Sequence, residues 1–465
     1  MKYDLRMNKK TNNRTVKKEQ KFLFGVSTAA TQIEGAYDAD GKGKSVWDYY
    51  SEEGLIQNGH TCYTCCDSYN RLEEDLDLIR DLGVDSYRFS ISWTRLQPAG
   101  RGEVNEKGIA YYNRLIDGLL EMGVKPMVTL FHWDLPMTLY QEGGFLNRDI
   151  VERFAEYGRI IGERFGDRVE MFSVFNEPQA LIDFLYARPV GGKSEPRSNQ
   201  EIFEAIHTLL LCNAAATYAL RKYASKPVKV GLVNCTQIKV PKTPEDIDAA
   251  RNATFAVGDT ILGNNVTFWE PIAFGRYDER MIEKFEINLS FVQEGEMKYI
   301  CCKPDFMGCN IYCGERVARG EKVAVAVPLS LNASCGDMGG DFIDTADCMY
   351  WGTRFMYERY KLPIYVTENG CTMVEWKTRK GTVEDAMRDD YIHRYFTYLW
   401  KAREEGVDIR GYYVWTLMDN FEWSSGFSRR FGLVYVDFET GERTKKKSFY
   451  GYKEMIEEFH QIEEC

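Results

Sequence analysis

Short apolar runs alternate with amphipathic stretches along most of the 465 residues. Strand-like runs rich in β-branched and aromatic residues occur at 22–30, 85–92, 125–133, 171–177, 229–235, 304–312, 363–370 and 409–420. Between them the apolar positions recur at helical spacing. The stretch SYNRLEEDLDLIRDLG, 68–83, places Tyr69, Leu72, Leu76 and Ile79 on one face and ends at Gly83, a C-terminal cap. Residues 147–166 put Phe154, Tyr157, Ile161 and Phe165 on one side, with Asn147 as the expected N-cap and Gly166 as the stop. Ser198 and Glu201 stand at capping-box spacing before a further helix.

Continuous apolar strands alternating with helices predict parallel strands covered by helices. Eight such units in one chain fit a (β/α)8 TIM barrel with long βα loops better than a doubly wound sheet, and no G-x-G-x-x-G follows the first strand. No repeat, low-complexity tract or Pro/Ser linker divides the chain. Residues 21–465 are therefore expected to form one barrel domain, preceded by a flexible basic tail at 1–20.

Charge and cysteine usage narrow the partners. A net charge of −11 and a pI near 5.3 disfavour nucleic acid and anionic lipid. The opening residues are basic but lack an apolar core, so they read as neither signal peptide nor anchor, and no apolar run reads as a membrane span. With thirteen scattered cysteines and no secretion signal, reduced thiols and a cytoplasmic location are expected. Cys62 and Cys65 have C-x-x-C spacing without a matching second half, and the chain has five histidines, so no metal is expected. The 14% of aromatic residues suits flat-faced ligands such as sugar rings.

In a (β/α)8 barrel the chemistry sits at the C-terminal ends of the strands. There the apolar runs of this chain turn polar. Asn176 and Glu177 close the fourth run and Glu368 and Asn369 the seventh; Arg88 lies in the second, His132 ends the third, and Asn310 and Tyr312 end the sixth. Trp415 ends the apolar part of the eighth, with Glu422 and Trp423 just beyond. Two carboxylates among aromatics, an amide and a histidine suit glycoside hydrolysis, which needs one carboxyl protonated and the other ionised across the sugar. No cofactor is implied, because carboxyl groups and water suffice.

The segments FNEP (175–178), TENG (367–370), FHWDLP (131–136), TQIEGA (31–36), YRFSISW (87–93) and WTLMDNFEW (415–423) resemble the motifs of glycoside hydrolase family 1, the β-glucosidase family. RRFGLVYVDFETGERTKKKS, 429–448, is similar to its C-terminal signature, and the likeness runs from Phe22 to Ile456. The resemblance implies Glu177 as general acid/base and Glu368 as nucleophile of a retaining β-glycosidase, with carboxyl groups about 5 to 5.5 Å apart. It further implies that Arg88 faces the nucleophile, Tyr312 hydrogen-bonds it and Asn310 lies near the acid/base. Asn176 would hold the sugar 2-hydroxyl, Gln32, His132, Glu422 and Trp423 the other hydroxyls, and Trp415 would be the platform under the ring. Relatives specialised for 6-phosphoglycosides usually lack a carboxylate at the Glu422 position, so a neutral β-glycoside or short oligosaccharide is the expected substrate.

Several positions depart from the family pattern: QALIDFLYARPVGGKSEP after FNEP, Met171 and Phe172 where a Trp is common, Ser68 for a His, Met137 for a Gln, and the region 315–350. Most of these are expected to border the leaving-group side. A β-glucosidase with side activity on galactosides or fucosides is the leading reading. A transglycosidase and a non-catalytic sugar- or protein-binding member of the same fold are the alternatives.

Overall fold

Each of the eight apolar runs forms a strand in the computed structural model, which describes residues 21–192, 195–320, 323–327 and 345–464. The tail expected at 1–20, and residues 321–322 and 328–344 of the divergent loop, lie outside the described residues. The strands are β1 (Leu23–Ser27), β2 (Ser86–Ser90), β3 (Lys125–Phe131), β4 (Met171–Asn176), β5 (Lys229–Cys235), β6 (Phe306–Asn310), β7 (Ile364–Asn369) and β8 (Ile409–Trp415). They pair in parallel in chain order, and β8 closes on β1 with Ser27 beside Trp415. The chain is a (β/α)8 barrel.

Side chains fill the barrel toward the N-terminal ends of the strands. Leu23, Met127, Met171, Phe306, Tyr365 and Tyr413 form a separate buried cluster there. Two glycines make room for its rings: a Cβ on Gly25 would lie 2.2 Å from the Tyr413 ring, and one on Gly231 2.5 Å from that of Phe306. The interior is thus closed below, which leaves the C-terminal mouth for a ligand.

The covering helices are α1 (Leu72–Leu82), α2 (Glu106–Glu121), α3 (Ile150–Phe165), α4 (Asn199–Tyr223), α5 (Val266–Phe274), α6 (Cys348–Tyr360), α7 (Ala386–Glu404) and α8 (Lys447–Glu464). Gly83 caps α1 in the left-handed region at φ 75°, and Ser198 and Glu201 form the capping box of α4. Two expectations are corrected. Tyr69 precedes α1, where it is buried against the Tyr111 ring, and Asp149 rather than Asn147 is the N-cap residue of α3. The Asn147 Oδ1 instead accepts from the Asp149 N–H at 3.0 Å, an Asx turn that delays the helix. Among the described residues one helix, α4, is long and apolar enough by length and composition to cross a bilayer, which the sequence reading passed over. It is mostly buried, packed along α3 and against β4 and β5 of the barrel.

A buried ion cluster ties the loops after β7 and β8 to the C-terminal segment. Asp419 accepts from Lys446 Nζ at 2.6 Å, from Arg430 at 2.7 Å and from the Gly432 N–H at 3.0 Å. Glu375 accepts from Arg388 at 2.9 Å and also pairs with Lys446, while Arg388 pairs with Asp385. Removing one cation would leave buried anions uncompensated, so Lys446→Met is expected to cost about 3–5 kcal/mol in urea unfolding. Breaking the exposed Arg101–Glu142 pair, bonded at 2.6 and 2.7 Å, is expected to leave the urea midpoint nearly unchanged, because water screens both charges. Equal losses in the two variants would contradict this assignment.

Candidate active site

All eleven site residues picked from the sequence converge at the C-terminal mouth of the barrel. Glu177 follows the last residue of β4 and adopts φ 40°, ψ 65°, and Pro178 then opens a short helix, Pro178–Ile182. Proline costs nothing at a first helical position, where its missing N–H would have no intrahelical partner. Glu177 thus sits in the left-handed region, a conformation that a non-glycine residue holds only against a cost.

Glu368 is buried near the end of β7. Arg88 Nη1 donates to its Oε1 at 2.6 Å and the Tyr312 hydroxyl to its Oε2 at 2.7 Å. Both partners suit the carboxylate anion. Glu177 is treated in the opposite way. Burial pushes its carboxyl up to about 8, and the neighbouring Glu368 charge acts in the same direction, against the Asn310 Nδ2 that donates to it at 2.8 Å. At neutral pH Glu177 therefore carries a proton.

Asn176 is the hub of the site. Its Oδ1 accepts from Arg88 Nη2 at 2.7 Å and from Asn310 Nδ2 at 3.1 Å, which leaves its Nδ2 facing His132 Nε2 at 2.9 Å. His132 Nε2 is thus the acceptor and Nδ1 carries the hydrogen, with no hydrogen-bond partner among the described residues. Burial, followed by the Arg88 charge, holds His132 well below its ordinary value, so the ring is neutral. Gln32 Nε2 donates to Asn420 Oδ1 at 3.1 Å, to the Phe421 carbonyl at 2.8 Å and to Glu422 at 3.4 Å. Its Oε1 also has no partner among the described residues. Buried polar atoms left open in a pocket are the valences that sugar hydroxyls satisfy. Burial pushes the Glu422 carboxyl up to about 7, against the Arg429 charge.

Aromatic side chains line the same space. The His132 ring stacks at 5.9 Å on Trp415 and at 5.6 Å on Trp423, and Trp133 and Trp47 pack against Trp423 from behind. The sequence reading missed three supports. Trp133 Nε1 donates to the Asn176 carbonyl at 2.9 Å, Thr367 Oγ1 donates to Asn310 Oδ1 at 2.7 Å, and Asn420 holds Gln32. Each lies inside a quoted motif, so the signal was adjacency to a residue already chosen. Burial also raises Asp134, in FHWDLP, to about 8.

Three of the residues that depart from the family pattern sit elsewhere than expected. Met171 belongs to the plug at the N-terminal end of β4, Phe172 lies in the main core, and Ser68 is buried between β2 and α1 beside Asp75. None of the three borders the leaving-group side. The segment after Glu177 does lie at the mouth: Phe184 packs on Trp133 and Trp47, and Arg188 pairs with Asp183 at 2.7 Å. No group able to hold a metal occurs among the described residues, and Cys62 and Cys65 are free thiols there.

A family model described as "Glycosyl hydrolase family 1" matches residues 15–461. Beta-glucosidase A of Thermotoga maritima is 40% identical over 442 residues, 94% of this chain and 96% of that protein. A bifunctional beta-D-glucosidase/beta-D-fucosidase of Bifidobacterium breve is 36% identical, covering 94% and 97%. A solved structure of the Thermotoga maritima beta-glucosidase in complex with glucoimidazole has a TM-score of 0.83 at 39% identity, covering 94% of this chain and 98% of that one.

Proposed function

The chain belongs to glycosyl hydrolase family 1, and from that premise we propose that it is a retaining β-glucosidase, with side activity on β-fucosides or β-galactosides, acting on short neutral β-glycosides by double displacement. It is a glycoside hydrolase. The observation that carries the mechanism is the opposite treatment of the two carboxyls: Arg88 and Tyr312 both donate to Glu368, whereas burial keeps a proton on Glu177.

In the first step a Glu368 oxygen attacks the anomeric carbon as the glycosidic C–O bond breaks, and Glu177 gives its proton to the departing oxygen. A glycosyl ester on Glu368 results. Esterification removes the Glu368 charge, one of the causes that hold the Glu177 proton, so Glu177 becomes a better base in the intermediate. Water then attacks the same carbon, gives its proton to Glu177 and releases the sugar with its β configuration.

Gln32, His132, Asn176, Glu422 and Trp423 are the proposed grips on the hydroxyls, and Trp415 the ring platform. Burial at Glu422 admits both a neutral carboxyl and an anion near pH 7, and the anion repels a sugar phosphate. A cytoplasmic location is part of this proposal, on the cysteine usage. The two alternatives are not favoured: both carboxyls are present, and the relatives are named as glucosidases.

A panel of p-nitrophenyl β-glycosides tests the reading. Turnover is expected on glucoside and fucoside, less on galactoside, and none on 6-phosphoglucoside. Preference for the phosphorylated sugar, or silence from folded protein on every sugar, would overturn it.

A further inference from the structure

The strands that carry the two carboxyl groups are also those in which the barrel register slips. Between β4 and β5 the pairing jumps from Ser173 with Gly231 to Asn176 with Val233. Between β7 and β6 it jumps from Val366 with Cys309 to Glu368 with Asn310, and a further slip toward β8 lies between Val366 and Asn369. Thr367 is therefore an extra residue on β7, a bulge of the kind that re-aims a side chain beside an active site. Its carbonyl, freed from the regular ladder, accepts from Ser27 Oγ at 2.8 Å and from Arg88 Nη1 at 3.4 Å.

A bulge weakens what the ladder can specify. The regular pairing of β7 with its neighbours does not by itself fix where Glu368 points, and Tyr312, which donates to Glu368, lies two residues past the end of β6. One main-chain bond and a set of side chains make up the difference. The Ile311 N–H donates to the Glu368 carbonyl at 3.0 Å, and Asn369 Nδ2 donates back to the Ile311 carbonyl at 2.7 Å. The same Nδ2 donates to the Tyr391 hydroxyl at 2.8 Å, and Tyr391 donates to the Tyr312 carbonyl at 2.8 Å. Tyr412 completes the set by donating to Asn369 Oδ1 at 2.7 Å. Asn369, Tyr391 and Tyr412 are all buried.

We infer that Asn369 and Tyr391 form a clamp that holds Glu368 and Tyr312 in mutual register across the Thr367 bulge. They are positioning residues: neither touches the sugar, and each acts through the residue beside it. The inference rests on the reading of Glu368 as nucleophile. An undirected structural role would need only that the hydroxyls be satisfied. What sets the clamp apart is that both of its outputs, the Ile311 and Tyr312 carbonyls, lie on the segment that carries the Tyr312 hydroxyl donating to Glu368.

Tyr391→Phe removes a single hydroxyl and keeps the ring stacked on Tyr395 at 3.9 Å. Its kcat on p-nitrophenyl β-glucoside is expected to fall about three- to tenfold, because the bonds to Asn369 and to the Tyr312 carbonyl are both lost, with KM changed by less than about twofold. Tyr312→Phe should fall further, and the double variant no further than Tyr312→Phe alone, because the clamp acts through that hydroxyl. Tyr452→Phe is the control: its hydroxyl donates to the Gly25 carbonyl at 2.8 Å, so it should lower the melting temperature and leave kcat unchanged. If Tyr391→Phe does not fold, Tyr412→Phe, which releases Asn369 Oδ1, should show the same pattern. An unchanged kcat, additive losses in the double variant, or an equal kcat loss in Tyr452→Phe would each overturn the clamp. An inactive wild type would overturn the glucosidase reading as well, so the two failures are distinguishable.

Discussion

Glu368→Gln is expected to lower kcat on p-nitrophenyl β-glucoside by a factor on the order of 10⁴ or more, because an uncharged amide is a far poorer nucleophile than a carboxylate. The substitution is nearly isosteric. A glutamine Oε1 still accepts from Arg88, which also retains its bond to Asn176 at 2.7 Å, so the buried guanidinium keeps partners and the barrel should fold. Circular dichroism and a cooperative melt verify that point before kinetics are read. Comparable activity in a folded Glu368→Gln protein would sink the nucleophile assignment, and with it the roles given to Arg88 and Tyr312.

Glu177→Ala separates the two steps. For a glycoside whose leaving group needs a proton, such as cellobiose, the loss should be about 10²–10⁴-fold, the range of general acid catalysis. For 2,4-dinitrophenyl β-glucoside, whose leaving group is stable as an anion, the first step should survive and the glycosyl-enzyme should accumulate. Azide can enter the space left by the side chain and needs no general base, so it should restore turnover and yield a β-glycosyl azide. The pH profile supplies a second readout. The Glu177 carboxyl is raised from 4.5 to about 8, so its acid form prevails below that value and is lost above it. Wild-type kcat/KM should therefore fall as pH rises through about 8, and that limb should vanish in Glu177→Ala. Retention of both the limb and the cellobiose activity would contradict the assignment.

The barrel could be read in the sequence because a parallel strand buried on both faces leaves a continuous apolar run, and eight such runs stand apart from the helical spacing between them. The strand ends that bear Glu177 and Glu368 could be read for the same reason: a polar residue is conspicuous where an apolar run stops. Other features left no such trace. The extra residue at Thr367 shifts the register without altering the apolar pattern, so the bulge was invisible. The Asn369 clamp depends on Tyr391 and Tyr412, which come from α7 and β8 and whose spacing carries no short-range signal. Met171 and Phe172 were misplaced because closeness in sequence to FNEP says nothing about which end of a strand a residue occupies. A six-residue strand separates the plug from the mouth. Asn147 was misjudged because an Asx turn and an N-cap use the same residue types, two positions apart here.

The central claim is that Glu368 and Glu177 act in two successive displacements at one carbon. Proton NMR during the first minutes of hydrolysis of a β-glucoside tests it most directly, since the anomeric proton of the first-formed sugar reports configuration before mutarotation. Two inversions predict β-glucose as the initial product, with the α form appearing only later. Initial release of α-glucose would mean a single displacement by water, and would contradict the covalent role of Glu368.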